Sequence, residues 1–170
     1  DPMGESTCVA CGECVQACPT GALAPAKDAY LAPVERKVAS VCPYCGVGCQ
    51  LTYHVKDDAI VRVEGRDGLA NRARLCVKGR FGFDYVRHPQ RLTKPLIRKS
   101  GVPKAAAFAM DPANALSVFR EASWEEALGL VTRNLAKYRG NGFGGLASAK
   151  VTNEDNYVFQ KFVRAAMGAN

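Results

Sequence analysis

Past Cys76 the sequence has no cysteine, so all eight cysteines fall in the first 76 residues of a 170-residue chain. That distribution argues against a secreted disulfide scaffold, which is short and cysteine-dense throughout. A run of eighteen apolar residues is also missing, which excludes a transmembrane helix. The first residues lack the basic, apolar and small-residue succession of a secretory signal. The chain therefore reads as cytoplasmic, in a compartment that keeps thiols reduced, without membrane insertion. Histidine is scarce: His54 falls on the polar phase of an expected strand and His88 precedes Pro89 in a turn, and both read as surface residues. A formal charge of +7 and a pI near 9.1 would by themselves suggest nucleic acid. The basic residues gather between Arg62 and Lys104, however, beside a cysteine set where bound clusters and a phosphate-bearing cofactor supply compensating negative charge, so no nucleic-acid partner is expected.

The cysteines form two sets. Cys8, Cys11, Cys14 and Cys18, followed by Pro19, have the spacing of a bacterial ferredoxin run, in which three thiolates hold one [4Fe-4S] cluster and the fourth reaches the neighbouring cluster. Zinc sites instead pair two C-x2-C units at a distance. A two-cluster ferredoxin needs two such runs and this sequence has one. The partner half is expected upstream of Asp1 or in another polypeptide, and the chain is read as a fragment. Cys42, Cys45, Cys49 and Cys76 form the second set, C-x2-C-x3-C-x26-C, with a close triplet that puts three sulfurs on one loop. Gly46 and Gly48 between two of these cysteines are expected to take positive φ and turn N–H groups toward sulfur, which raises a cluster's potential. Tyr44, in the same loop, either shields a cluster from water or simply packs.

Periodicity divides the chain in three. Residues 1–35 carry the first cysteine set and end in an Ala/Pro-rich turn and linker, Ala22 to Pro33. Residues 36–95 read as a small β-rich domain: Leu51, Tyr53 and Val55 alternate with polar residues, Asp57-Asp58 marks a turn, and Ile60 to Glu64 returns. Residues 96–170 turn helical, with Trp124, Ala127, Leu128, Val131 and Leu135 on one face as a helix core. Ser123 and Glu126 make a capping box, and Gly140 is expected to stop the helix. A strand is expected around Gly145 to Ala149, then a second helix from Thr152 or Asn153 to Gly168, which together read as the opening of an α/β domain. The Gly140 to Gly145 stretch follows a helix rather than a strand, so it is a weak phosphate-loop candidate.

Val41 to Cys49, Leu75 to Gly79, Arg91 to Ile97, Ser123 to Leu128 and Asn153 to Tyr157 closely resemble the molybdenum- or tungsten-dependent formate dehydrogenases, members of the molybdopterin oxidoreductases. The match runs from about Arg36 to Asn170, and the preceding ferredoxin run resembles the NAD-linked members. The resemblance implies an α+β multi-domain fragment: a partial ferredoxin-like segment, a small β-rich [4Fe-4S] domain, and the start of an α/β molybdopterin-binding domain. It implies that Cys42, Cys45, Cys49 and Cys76 ligate the proximal [4Fe-4S] cluster. Cys8, Cys11 and Cys14 would ligate a ferredoxin-type cluster and Cys18 its neighbour, and Lys78 would assist electron passage between cluster and pterin. The implied cofactors are [4Fe-4S] clusters and, in the full subunit, a molybdenum or tungsten bis-molybdopterin guanine dinucleotide. The implied partners are formate and a flavin- or NAD-reducing subunit. No catalytic residue is expected within these 170 residues, because the family's metal-ligating cysteine or selenocysteine would follow Asn170. The alternative is an electron-transfer module without catalysis, such as the cluster-bearing large subunit of an NADH:quinone oxidoreductase.

Overall fold

The alternating segments pair as the sequence predicts. In a computed structural model that describes residues 3–25 and 33–170, β1 (Arg36–Val41), β2 (Gln50–Lys56) and β3 (Ala59–Gly65) form an antiparallel meander with β2 in the centre. The β2–β3 connection is the two-residue turn Asp57-Asp58, with φ of 47° and 56°. Positive φ at both central positions gives the turn twist that suits a tight hairpin, and aspartate tolerates it. Arg36 Nη2 donates to Asp58 Oδ1 at 2.9 Å and ties β1 to this tip. The Ala22 to Pro33 linker lies for the most part outside the described residues.

Contacts divide the chain into two units, Asp1–Arg87 with Ala147–Val158, and His88–Leu146 with Phe159–Asn170. In the first, Leu51 and Val63 project from the sheet onto Cys42 and Leu75, with Tyr44, Cys49, Tyr53, Ile60 and Phe83 packed around them. After β3 the chain loops back through residues 66–74, where Arg72 and Ala73 take positive φ. Asn71, buried in this loop, holds it closed. Its Nδ2 donates to the carbonyls of Gln50, Arg66 and Arg74 at 3.0, 3.2 and 3.0 Å, and its Oδ1 accepts from the Gln50 amide at 3.0 Å. The loop delivers Cys76 to the start of α2 (Val77–Phe81).

His54 contradicts the expectation of a surface histidine, because it is fully buried. A central strand has neighbours on both sides. Arg62 stands opposite His54 on β3 and Lys37 opposite on β1, and their long side chains, with Glu64, cover the outer face. A bulge between His54 and Val55 lets both residues be buried in succession. Arg62 Nη2 lies 3.0 Å from His54 Nδ1, and Nε2 lies 2.9 Å from Glu64 Oε2. With the imidazole neutral, Nδ1 accepts from the guanidinium and Nε2 donates to the carboxylate. Burial pushes the His54 pKa down first; Arg62 and Lys37 add to this while Glu64 opposes it.

The second unit holds a two-stranded antiparallel ribbon, β4 (Leu96–Arg98) with β5 (Phe119–Glu121), which sequence periodicity did not reveal because three residues show no alternation. A short helix, α3 (Lys104–Phe108), lies between them in sequence. Helix α4 (Trp124–Leu135) begins as expected with Ser123 Oγ accepting from the Glu126 amide at 3.1 Å. Glu126 turns its carboxylate to Arg120 instead of completing the box. The helix ends at Leu135, short of Gly140, which opens a separate 3-10 turn, Gly140–Gly142. Trp124 is not a core residue but 67% exposed, as are Leu128 and Val131 in large part, so the apolar face is left mostly open. The expected strand at Gly145 to Ala149 does not form, because an extended segment becomes a strand only by pairing and none of the described segments pairs with it. Helix α5 (Asn153–Lys161) starts where predicted, capped reciprocally by Thr152 Oγ1 on the Asp155 amide at 3.2 Å and Asp155 Oδ2 on the Thr152 amide at 3.2 Å, and continues as a π-helical turn to Ala166. Among the described residues no helix is long and apolar enough to cross a membrane.

Two outcomes follow for stability. A histidine whose folded pKa lies below the ordinary 6.5 binds a proton more readily when unfolded, so its contribution is present above that pH and lost as pH falls through it. Urea midpoints of the wild type should therefore decline below pH 6.5, by at most about 1.4 kcal/mol per pH unit per proton; His54→Gln, which keeps polar partners without the proton, should flatten that slope before the carboxylates titrate. Asn71→Ala should destabilise the protein by about 2 kcal/mol in the same assay, since it strands buried backbone groups.

Candidate metal centre

The second cysteine set is built on the end of β1 and the start of β2. The Cys42 amide donates to the Cys49 carbonyl at 2.8 Å, closing the intervening residues into a loop. Gly48 takes φ +71° as expected, whereas Gly46 lies outside the positive-φ region. Gly46 is required for a different reason: a Cβ there would sit 2.7 Å from Asn153 Oδ1, and Asn153 Nδ2 donates to the Gly46 carbonyl at 2.8 Å. The first residue of α5 thus clamps the cysteine loop, a pairing 107 positions apart in sequence.

Cys42 is buried, Cys45 and Cys49 are half-buried and Cys76 is exposed. Helix α2, which Cys76 precedes, packs on the cysteine loop: a Cβ at Gly79 would sit 3.4 Å from Cys42 Sγ. Burial pushes the Cys42 thiol up, against a hydrogen bond from the Tyr44 amide, and Cys49, Cys76 and Cys45 push it further. Burial likewise raises Cys49, with Cys45 and Cys76 adding to it. Thiols raised in this way, Cys42 and Cys49, hold their protons until a cation compensates the charge. Among the described residues no three Cys, His, Asp or Glu side chains converge as on a single metal ion. Four thiols around one loop and one helix start instead suit a group that takes one thiolate per iron.

Aromatic side chains wall this site. The Tyr44 hydroxyl donates to the Gly82 carbonyl and its ring meets Tyr85 edge-on at 5.9 Å. Burial pushes the Tyr53 phenol up to about 12, with Tyr85, Cys42 and Tyr44 adding to the shift. Tyr44 therefore both packs and stands beside the Cys42 sulfur. His88 is exposed, as expected, and its Nδ1 accepts from the Gln90 amide at 3.2 Å. Lys78 is an exposed residue of α2, two positions after Cys76.

In the first set Cys8 and Cys14 are exposed and Cys11 and Cys18 half-buried. Cys14 lies within α1 (Glu13–Ala17), which Gly12 precedes in left-handed conformation. Cys18 turns its sulfur to Thr20 Oγ1 at 3.4 Å. That hydroxyl, joined by the amides of Leu23 and Thr20, lowers its thiol to about 7. The run is fastened to the four-cysteine domain by residues the sequence did not single out. Glu13 pairs with Arg80 at 2.8 Å and with Arg74 at 2.7 Å, and Gln16 Nε2 donates to the Ala73 carbonyl. Only the burial of Arg80, which no local pattern encodes, distinguishes these from solvated charges.

Residues 4–24 match the 4Fe-4S binding domain family, residues 35–88 the molybdopterin oxidoreductase Fe4S4 domain, and residues 91–170 the molybdopterin oxidoreductase family. The chain is similar to the NADPH-Fe(3+) oxidoreductase subunit alpha of Geobacter sulfurreducens, with 35% identity over 95% of this chain and 17% of that protein. It is also similar to proteins named "Putative formate dehydrogenase" in Staphylococcus aureus, with 30% identity over 99% of this chain and 20% of theirs, and in Staphylococcus haemolyticus, with 31% identity over the same shares. The chain thus spans about a fifth of the length of these curated relatives. With its four-cysteine domain matched to one molybdopterin oxidoreductase model and residues 91–170 to another, the chain belongs to the molybdopterin oxidoreductases, as an iron-sulfur electron-transfer portion carrying [4Fe-4S] domains.

Proposed function

We propose that this chain is the electron-carrying portion of a formate dehydrogenase catalytic subunit. In this reading formate is oxidised to carbon dioxide, a proton and two electrons at a molybdenum or tungsten bis-pterin centre held by other parts of the subunit. The electrons leave through this chain toward a flavin- or NAD-reducing partner in the cytoplasm. Cys42, Cys45, Cys49 and Cys76 ligate the cluster nearest the pterin, Cys8, Cys11 and Cys14 a ferredoxin-type cluster, and Cys18 its neighbour. The observation that carries the reading is the placement of the second-set cysteines on one closed loop and at the start of the helix packed against it, in a domain matched to the Fe4S4 family.

When bound, a cube supplies reversible one-electron chemistry. The chain's residues hold and tune it. Burial of Cys42 lowers the dielectric around one ligand, and the Tyr44 amide donates to its sulfur, which favours the reduced state. Tyr44 and Tyr53 exclude water from that side, and Lys78, exposed on the short helix after Cys76, is available to a pterin outside this chain. The domain boundaries assigned from periodicity, 1–35, 36–95 and 96–170, belong to the same proposal.

The formate reading is supported by the names of the staphylococcal relatives. A second reading is favoured by the Geobacter relative, whose name assigns it NADPH and ferric iron: electrons then enter from a nicotinamide, and the subunit is a carrier like the large subunit of an NADH:quinone oxidoreductase. Anaerobic mixing of the intact subunit with each donor separates the two. Cluster reduction by formate, followed by electron paramagnetic resonance, upholds the first; reduction by NADPH through its partner with none by formate upholds the second.

Cys45→Ser in the intact enzyme should abolish acceptor reduction and lower the iron content; wild-type turnover with full iron would remove Cys45 from the ligand set. Lys78→Ala should slow reduction of the proximal cluster about tenfold, the scale of a 1.4 kcal/mol barrier change, with iron content unchanged. Unaltered single-turnover kinetics would take Lys78 off the path.

A further inference from the structure

The buried polar or charged side chains among the described residues are His54, Asn71 and Arg80. His54 and Asn71 close the four-cysteine domain on itself. Arg80 reaches out of it. Its Nε donates to the Cys11 carbonyl at 3.1 Å, and its Nη2 donates to Glu13 Oε1 at 2.8 Å and to the Leu75 carbonyl at 3.4 Å. Its backbone N–H donates to the Cys76 carbonyl at 3.1 Å. One residue thus joins, through two hydrogen bonds, the main chain of a cysteine from each set.

The surroundings enforce this contact. Gly12, at φ +76°, lies against Arg80 and Phe81 so closely that a Cβ would sit 2.7 Å from Phe81 Cζ and overlap the Arg80 stem. Glu13, two residues after Cys11, is shared between Arg80 and Arg74, so two guanidiniums face one carboxylate. On α2 residues two apart point about 200° apart, which sets the buried Arg80 opposite the exposed Lys78.

A buried ion pair adds little net stability over apolar side chains of similar volume. A leucine or methionine would hold the run against α2 as well, without desolvating a cation. What an apolar residue lacks is the charge and the fork that bonds three acceptors at once. Positive charge beside a cluster stabilises its more negative, reduced level and raises its potential.

We propose that Arg80, clamped by Glu13, is the positioning residue for electron transfer between the two cysteine sets: it fixes the Cys8/Cys11/Cys14 cluster against the Cys42/Cys45/Cys49/Cys76 cluster and raises the potential of both. The proposal rests on the reading of both sets as cluster ligands. In each transfer one cluster loses one electron and the other gains it, with no bond made or broken.

The test uses the intact reconstituted enzyme, with iron analysis, redox titration of each cluster followed by electron paramagnetic resonance, and the magnetic interaction between the two reduced clusters. Arg80→Gln should keep full iron, shift both potentials downward and weaken the interaction. Glu13→Gln, which removes a negative charge but keeps hydrogen-bonding capacity, should shift the potentials upward. A purely structural role would not produce shifts of opposite sign. Arg80→Lys should restore part of the potential but not the interaction, and Arg133→Gln on exposed α4 should change neither. Full iron with unmoved potentials and interaction in Arg80→Gln overturns the proposal. If that variant loses its clusters, Glu13→Gln decides: an upward shift upholds the proposal and an unmoved potential overturns it. Wild-type protein that binds no iron at the first set overturns the cluster reading itself, a result distinct from any of these.

Discussion

The Cys42 sulfur belongs at once to the hydrophobic core and to the candidate cluster site. It packs with Leu51, Val63 and Leu75, so the central strand of the meander and the four-cysteine loop share one packed interior. A protonated cysteine behaves there as a small hydrophobe, which the upward push on its thiol favours. A metal-bound thiolate must release that proton, and its charge then lies inside the packed core, while Cys76 of the same set is exposed. The rest of the domain answers to this placement. The Cys42–Cys49 backbone bond shapes the loop, Asn71 turns the chain so that Cys76 returns to it, and Asn153 holds the loop from outside.

What the sequence made legible was local or chemical. Alternation at Leu51, Tyr53 and Val55 marked a strand with one core face, Asp57-Asp58 marked the hairpin turn, and Ser123 and Thr152 marked helix starts, because each of these signals acts over a few residues. Cysteine spacing pointed to iron because ligand geometry constrains the chain directly. The readings that failed depended on partners far away in sequence. His54 is buried because Arg62 and Glu64 of β3 and Lys37 of β1 flank it from the two neighbouring strands. Trp124 is exposed because an apolar stripe reports what a helix is suited to bury, and not what lies next to it. The Gly145 to Ala149 segment forms no strand because none of the described segments pairs with it. Arg80 resembled any surface arginine until its 67-residue separation from Glu13 was closed by the fold.

The basic excess also has a different meaning in the folded chain. Arg62 engages His54 and Glu64, Arg74 and Arg80 engage Glu13, Arg36 and Arg87 engage Asp58, and Arg120 engages Glu126. The exposed pairs contribute little to stability, but they direct arginines toward specific carboxylates instead of presenting a uniform positive face. The charge balance of the first unit is therefore partly internal, settled between its strands, its helix start and the amino-terminal run.

The Arg80–Glu13 contact also bears on the order in which the chain acquires its structure. Closing a loop of 67 residues carries a larger entropic penalty than closing the two-residue turn of the β2–β3 hairpin, since each doubling of loop length adds roughly 0.6 kcal/mol. Sheet pairing between neighbours in sequence is thus favoured before long-range docking. During synthesis the Cys8–Cys18 run leaves the ribosome before Arg80, so its docking surface is finished only when Arg80 has been made. These four thiols are translated before their anchor, so they have a longer exposure than the second set to oxidants and to stray metal ions, and protection of nascent thiols matters more for this run than for the second set.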